Sequence, residues 1–275
     1  MTRSAGLSRW PWAVLAAIVL VALAGPWLAG HDPYAQDLLA RNQPPSPAHW
    51  LGTDNFGRDL LSRLVAGTGL TLLVALGASL LALVGGAGLG IAACALGRPA
   101  RAIVFAGFDI VRTLPAILLA LALMVAMGVG TASVILAVGV AFMPQFGYVA
   151  RAVYERETAS GYVLAARTLG VAPATIAWRH IMPNAAGALL TQLAIILPRT
   201  IVTESVLSFF GLGVSPDEPT WGRIIATAVP YAERAPSALL FPVLALALTS
   251  LALSLAGNQL RLRYDPLQRP TAAQG

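Results

Sequence analysis

Few side chains in this sequence carry chemistry, and their spacing limits what they can do. The histidines His31, His49 and His180 are scattered and form neither an HxxxH nor an HExxH pair, so no metal site is expected. Cys94 is the single cysteine and sits in an apolar run. It can form no intrachain disulfide and reads as a small buried packing residue. Every basic residue is arginine. A phosphate-cradling loop needs a lysine beside its glycines, so the chain is not expected to hydrolyse ATP itself. No nucleophile with a base falls within the apolar stretches, which argues against a membrane-embedded enzyme. What remains are ionisable residues inside apolar runs, where charge is costly and commonly functional: Asp109 and Arg112 in one run, Arg199 and Glu204 in another. Asp109 and Arg112, three residues apart, can meet on one helix face. They lie near the end of their run, where a structural pair or snorkelling explains them as well as solute contact does. Glu204 is placed to face a pathway or a companion subunit, or simply to be structural.

The elements that hold these residues follow from composition. The chain has 275 residues, 57% hydrophobic and 11% charged, against roughly a quarter charged in soluble domains. An all-α membrane protein is the expected class. Apolar runs near or above the spanning length of about 20 residues occupy 11–28, 70–96, 103–127, 131–150, 185–211 and 237–257, giving six expected spans. The first run also resembles a secretory signal, with Ala22, Leu23 and Ala24 as a small-residue cleavage site. Flanking Trp10, Trp12 and Trp27, which suit membrane interfaces, favour a retained helix. Residues 31–66 are polar and Pro-rich and read as an external loop. Its last part, Phe56 to Val65, is expected to be an interfacial amphipathic helix with Asp54 as N-cap. Three segments result: 1–69 with the first helix, external loop and amphipathic helix; a core transmembrane domain, 70–257, with the long loop 151–184; and a tail, 258–275. Gly128 to Gly130 suit a tight hairpin. Gly85, Gly86, Gly88 and Gly90 offer small-residue spacing for close helix approach, and Pro115, Pro144 and Pro198 can kink their spans. The segment from Gly213 to Pro236, with Trp221, Asp217, Glu218 and Glu233, is either a receiving surface for another protein or an interfacial anchor.

Arginine distribution sets the expected orientation. Arg3, Arg9, Arg98, Arg101, Arg151, Arg156, Arg167, Arg179, Arg261, Arg263 and Arg269 fall on one side, whereas Arg41, Arg58, Arg63, Arg223 and Arg234 fall on the other and are offset by acids. Positive charge in short loops marks the cytoplasm, so both termini are expected there. The net charge of +6 is thereby explained without nucleic acid, for which interleaved basic and aromatic blocks are absent.

One loop on the arginine-rich side, about Arg151 to Asn184, is far longer than the rest. Tyr162 to Leu169 favours a helix, Gly170 can end it in a left-handed cap, and Pro173 suits the first turn of a second short helix that stops before Pro183. Holding such an element rigid costs conformational entropy, which a docking partner can offset. Ala165 and Ala166 permit close approach, and Arg167 and Arg179 can meet acidic groups. On spacing alone a solvated amphipathic loop accounts for it equally well.

The string Tyr162 to Asn184 resembles the "EAA" loop of permease subunits of ABC importers: Glu-Ala-Ala, three residues, Gly, nine residues, Ile, one residue, Leu-Pro. Ala165, Ala166, Gly170 and Pro183 match, whereas Leu164, His180 and Met182 replace the Glu, Ile and Leu. Leu51 to Thr68 (LGTDNFGRDLLSRLVAGT), Leu197 to Val214 (LPRTIVTESVLSFFGLGV) and Pro219 to Ile225 (PTWGRII) are similar, in the same order, to blocks of the second permease of dipeptide, oligopeptide and nickel importers. The resemblance implies the type I importer permease fold of six spans with a cytoplasmic coupling helix-turn-helix. Its partners would be a homologous permease, two ATP-binding cassette ATPases that hold ATP and Mg, an extracytoplasmic solute-binding protein and the inner-membrane lipid. It implies no cofactor in this chain and coupling through Tyr162, Leu164, Ala165, Ala166, Arg167, Gly170, His180 and Pro183. An ion-gradient-driven secondary transporter is the alternative, but no inverted repeat is evident.

Overall fold

The computed structural model describes residues 9–215 and 217–264, so Arg3, Arg269 and most of the expected tail lie outside the described residues. Helices make up the architecture: α1 Trp10–Leu28, α2 Leu60–Leu96, α3 Arg98–Thr113, α4 Ala116–Met127, α5 Thr131–Thr158, α6 Gly161–Thr168, α7 Pro173–Thr175, α8 Met182–Phe209, α9 Trp221–Ala228 and α10 Pro236–Tyr264. Among the described residues four unbroken helices are long and apolar enough to cross a membrane: α2, α5, the continuous helix Pro173–Phe209, and α10. The apolar stretch of α1, Trp10–Gly25, is shorter.

The expected span 103–127 is not one helix. It breaks into α3 and α4, which meet at 96°. Leu114 is extended (φ −96°, ψ 139°), as a residue before proline prefers to be, and Pro115 has no N–H to continue the ladder. The amphipathic α3 docks by Phe105 and Phe108 beside Ala93 of α2. Pro144 and Pro198, by contrast, lie inside unbroken helices.

Helix α2 packs along α5 at the centre of the bundle because glycine faces backbone there. A Cβ on Gly86 would strike the Met143 carbonyl, and one on Gly90 would lie 2.8 Å from the Gly147 carbonyl. Both seats depend on having no side chain. Gly88 meets nothing, so two of the four expected glycines do the packing on this face and Gly85 lies against the Met143 side chain. A buried contact between the Ser79 and Thr200 hydroxyls, 2.8 Å, ties α2 to α8. The hairpin at Gly128 and Gly130 uses φ of +83° and +158°.

The expected interfacial helix is instead the first turns of α2, so the boundary at 69/70 falls inside that helix. Asp59 is its N-cap, accepting from the Ser62 N–H at 2.8 Å. Asp54 builds a turn, accepting from the Phe56 and Arg58 N–H groups and holding Arg58 Nε at 2.7 Å. Arg58, Asp59 and Arg63 are buried, because the preceding loop folds over the head of α2. Arg63 Nη1 donates to the Pro33 carbonyl at 2.9 Å. The expected wet face is therefore an internal ion network.

A second lid closes the same end. Trp221, fully buried, donates its indole N–H to the Leu64 carbonyl at 3.3 Å, so it anchors no membrane interface. Tyr34 donates to Glu218 at 2.9 Å. Burial first, and Glu218 second, push the Tyr34 phenol above its ordinary pKa. At the opposite end Trp12 donates to Gln259 at 2.7 Å, joining the start of α1 to the end of α10.

Candidate functional site

The long loop folds as a knob. Helix α6 ends in a Schellman motif: the Gly170 N–H donates to the Arg167 carbonyl at 3.0 Å and the Val171 N–H to the Ala166 carbonyl at 3.1 Å. Gly170 takes φ +76°, and a Cβ there would meet nothing within 4 Å. The glycine is thus required by backbone conformation alone. Pro173 opens the next helix, as expected, after an extended Ala172.

That helix does not stop before Pro183. A π-helical turn over Ile176–Ile181 widens the ladder, with the Met182 N–H reaching back to the Ala177 carbonyl, and the chain enters α8. Pro183 lacks the amide that a regular helix would use, and the wider turn accommodates its ring.

Fixed anchors point inward from this knob. Val163, Ile176, Ala177 and Ile181 are buried in the main core, each large one contributing about 1.5–3 kcal/mol. Ile181, rather than His180, fills the core position. Tyr162 clasps both neighbouring helices: its hydroxyl donates to Glu157 of α5 at 2.8 Å and accepts from Asn184 of α8 at 2.9 Å. The His180 ring stands 6.3 Å from the Tyr162 ring. Outward the knob presents Leu164, 53% exposed, Leu169, 82%, and Trp178, 48%, with Ala165, Arg167, Arg179 and Pro183 also exposed and Ala166 half-buried. Glu157, Asn184 and Trp178 are the residues sequence reasoning missed. Their roles depend on the fold of the corner, and the only signal in the sequence was a large apolar side chain, Trp178, within a polar loop.

The other candidates part company. Asp109 and Arg112 do come together, but through Tyr148 of α5. The Tyr148 hydroxyl donates to Asp109 at 2.5 Å, and the Arg112 guanidinium lies 4.7 Å from the ring centre. They belong to α3, the first half of the pair that bends by 96° into α4. Glu204 is wholly buried within the chain, accepting from the Ser208 hydroxyl at 2.7 Å and the Ser205 hydroxyl at 3.3 Å. None of its atoms reaches the surface of this chain. Arg199 is exposed and lines a cavity of about 460 Å³ with Pro115, Phe142, Thr203, Ser250 and Ser254.

Contrary to the sequence expectation of no metal-type cluster, the fold gathers His31, His49 and Asp59. Their positions in one long loop and the α2 cap are 18 and 10 residues apart in sequence, so no spacing motif announces them.

Comparison with known proteins gives the same reading. Residues 85–270 match the model of the binding-protein-dependent transport system inner membrane component family, and residues 12–45 match the N-terminal transmembrane domain of oligopeptide transport permease C. A Brucella suis protein provisionally named a peptide transport system permease is 38% identical, covering 92% of this chain and 85% of its own length. The di/tripeptide transport system permease protein DppC of Pseudomonas aeruginosa is 34% identical over 90% of this chain and 84% of its length. In fold the chain is similar to one in a structure described as inward facing conformations of the MetNI methionine ABC transporter. The TM-score is 0.59 and the identity 19%, covering 74% of this chain and 96% of that one. A helical bundle with these two matched regions and relatives above 30% identity over nearly the whole sequence belongs to the binding-protein-dependent transport system inner membrane component family, as an ABC importer permease.

Proposed function

We propose that this permease imports short peptides or chemically related small solutes, and that the knob from Tyr162 to Pro183 seats in a groove of a partner ATPase. The peptide class rests on the names of the relatives. ATP and Mg are held by two such ATPases. A homologous second permease and an extracytoplasmic binding protein complete the transporter, and this chain supplies no catalytic residue.

The observation that supports coupling is the Tyr162 clasp. An exposed, rigid corner is bonded at its base to both α5 and α8, so displacement of the corner is transmitted to two bundle helices rather than absorbed by a slack loop. Closure of the ATPases on ATP would move the knob and shift the bundle between outward and inward states. Sidedness is read from charge. Arg101 pairs with Glu155 at 3.4 Å near the knob, and Trp12 shares a cavity with Leu190 and Thr191 in the first half of α8. The start of α1 and the end of α10 therefore lie near the first half of α8, on the arginine-rich side, which we assign to the cytoplasm. Arg199, on the cavity between α4, α5, α8 and α10, is the residue we assign to the pathway. A guanidinium at mid-helix avoids its cost in lipid by facing water.

The test is a Leu169→Cys variant reconstituted with its ATPases, its companion permease and its binding protein. Crosslinking to the ATPase that changes with nucleotide supports the proposal. A knob that crosslinks to nothing, or uptake that persists without ATP and collapses with the proton gradient, overturns it.

A further inference from the structure

At the end of α2 remote from the knob, roughly 55 Å away along a 37-residue helix, three ligand-type side chains converge on one point. His49 Nδ1 lies 2.9 Å and His31 Nδ1 3.9 Å from the same oxygen of Asp59, Oδ1. One ligand atom from each of the three residues falls within 4.8 Å of the other two, and the two imidazole rings are 4.9 Å apart. In a tetrahedral zinc site, bonds of about 2.0–2.1 Å place neighbouring ligand atoms about 3.3 Å apart. The His49–Asp59 separation of 2.9 Å lies below that value and the His31–Asp59 separation of 3.9 Å above it, so seating an ion requires the exposed His31 ring to move inward.

The framework behind the cluster is built. Asp59 spends its other oxygen, Oδ2, on the Ser62 N–H of the α2 cap, which aims Oδ1 at the histidines. The main chain of His49 is held on both sides, its N–H donating to Ser46 Oγ and its carbonyl accepting from the Ser46 and Gly52 N–H groups. The His31 N–H donates to Ser62 Oγ at 3.3 Å. The carboxylate is buried. Burial alone would raise its pKa, but the Ser62 N–H and the His49 and His31 rings outweigh that and hold it below the ordinary range. His31, 49% exposed at its side chain, opens onto a cavity of about 220 Å³ lined by Pro47, Ala48, Trp50 and Leu61 as well. This gives the entry path that a metal site requires.

We propose that His31, His49 and Asp59 form a zinc-type divalent metal site, with the fourth position open to water. Two imidazoles and one carboxylate are a borderline donor set suited to such an ion. On binding, His49 Nδ1 turns its lone pair to the metal in place of its contact with Asp59 Oδ1, and the neutral ring carries its proton on Nε2. The ion would staple the external loop to the cap of α2. It is resident in the lid and is not cargo, and the inference stands whatever solute crosses.

The test uses the full, untagged chain in its complex, stripped with chelator and titrated with Zn²⁺ and with Co²⁺. One tight equivalent per chain, a tetrahedral Co²⁺ visible spectrum and a Zn²⁺-dependent rise in Tm are expected. His31→Ala should lose this binding by more than the roughly 10–100-fold that follows loss of an outer-shell partner. Its metal-free Tm should stay close to wild type, since the half-exposed ring reaches the Asp59 cap only at a long 3.9 Å. Asp59→Asn keeps an N-cap residue and should lose the ion as well. Absence of stoichiometric binding by the wild type overturns the proposal. So does a Co²⁺ spectrum that persists in both variants.

Discussion

Replacement of Gly170 offers a measurement in which backbone conformation is separated from packing. The residue sits at φ +76°, and no atom lies within 4 Å of the point a Cβ would occupy. An added methyl clashes with nothing, so the whole penalty is torsional. For alanine in the left-handed region that is about 1–2 kcal/mol, equivalent to roughly a 5–30-fold change in the population of the correct corner. A β-branched residue costs up to about 3 kcal/mol, while asparagine tolerates the region and costs least. A knob in the wrong shape must be remade before docking, so apparent ATPase affinity falls in proportion to the competent fraction. The assay is the retention of ATPase subunits by the reconstituted permease, with solute-stimulated hydrolysis as a second readout. The expected order is Gly above Asn, Asn above Ala, and Ala above Val. A Gly170→Val protein that assembles and hydrolyses like wild type would refute the docking role of the corner. Equal loss for Asn, Ala and Val would refute the torsional account and point to side-chain volume.

Other expectations follow from the same geometry. Leu169→Glu, at an exposed site, should leave stability within about 0.5 kcal/mol of wild type while weakening ATPase retention by roughly tenfold, about 1.4 kcal/mol, measured on detergent-purified complex. Val163→Ala removes buried methyls beneath the knob and should cost about 2 kcal/mol, read as a lower Tm and a knob that proteases cut more readily. Gly86→Leu drives a side chain into the Met143 backbone and should abolish the folded monodisperse species in size-exclusion chromatography, whereas Gly88→Leu, which meets nothing, should elute normally. Arg199→Gln should lower solute uptake in proteoliposomes more than it lowers ATPase retention.

Local signals carried the knob. The glycine after Leu169, the proline at 173 and the small pair Ala165 and Ala166 specify a Schellman corner and a helix start within a dozen residues, and both are present. Gly86 and Gly90 likewise announced a close helix seat. What local patterns could not convey was anything made by chain segments meeting from afar. Phe56 to Val65 has an amphipathic pattern, but the loop that covers it buries Arg58 and Arg63, so its polar face is internal. Asp59 won the cap over Asp54 because Asp54 is committed to Arg58. The hydropathy of 103–127 is continuous, yet one proline outweighs it and turns the chain through 96°. His31 and His49 become neighbours only when the Pro-rich loop closes, and the wide turn before Pro183 reflects a register that no spacing encodes.

The backbone-to-backbone seat of α2 on α5 also constrains how this molecule can change shape. Sliding one rod past the other by a helical turn would bring bulkier neighbours such as Phe146 into niches only hydrogen can fill. The two therefore travel as a single oar, and the strokes of alternating access must fall at looser seams, of which the 96° elbow at Pro115 between α3 and α4 is the candidate.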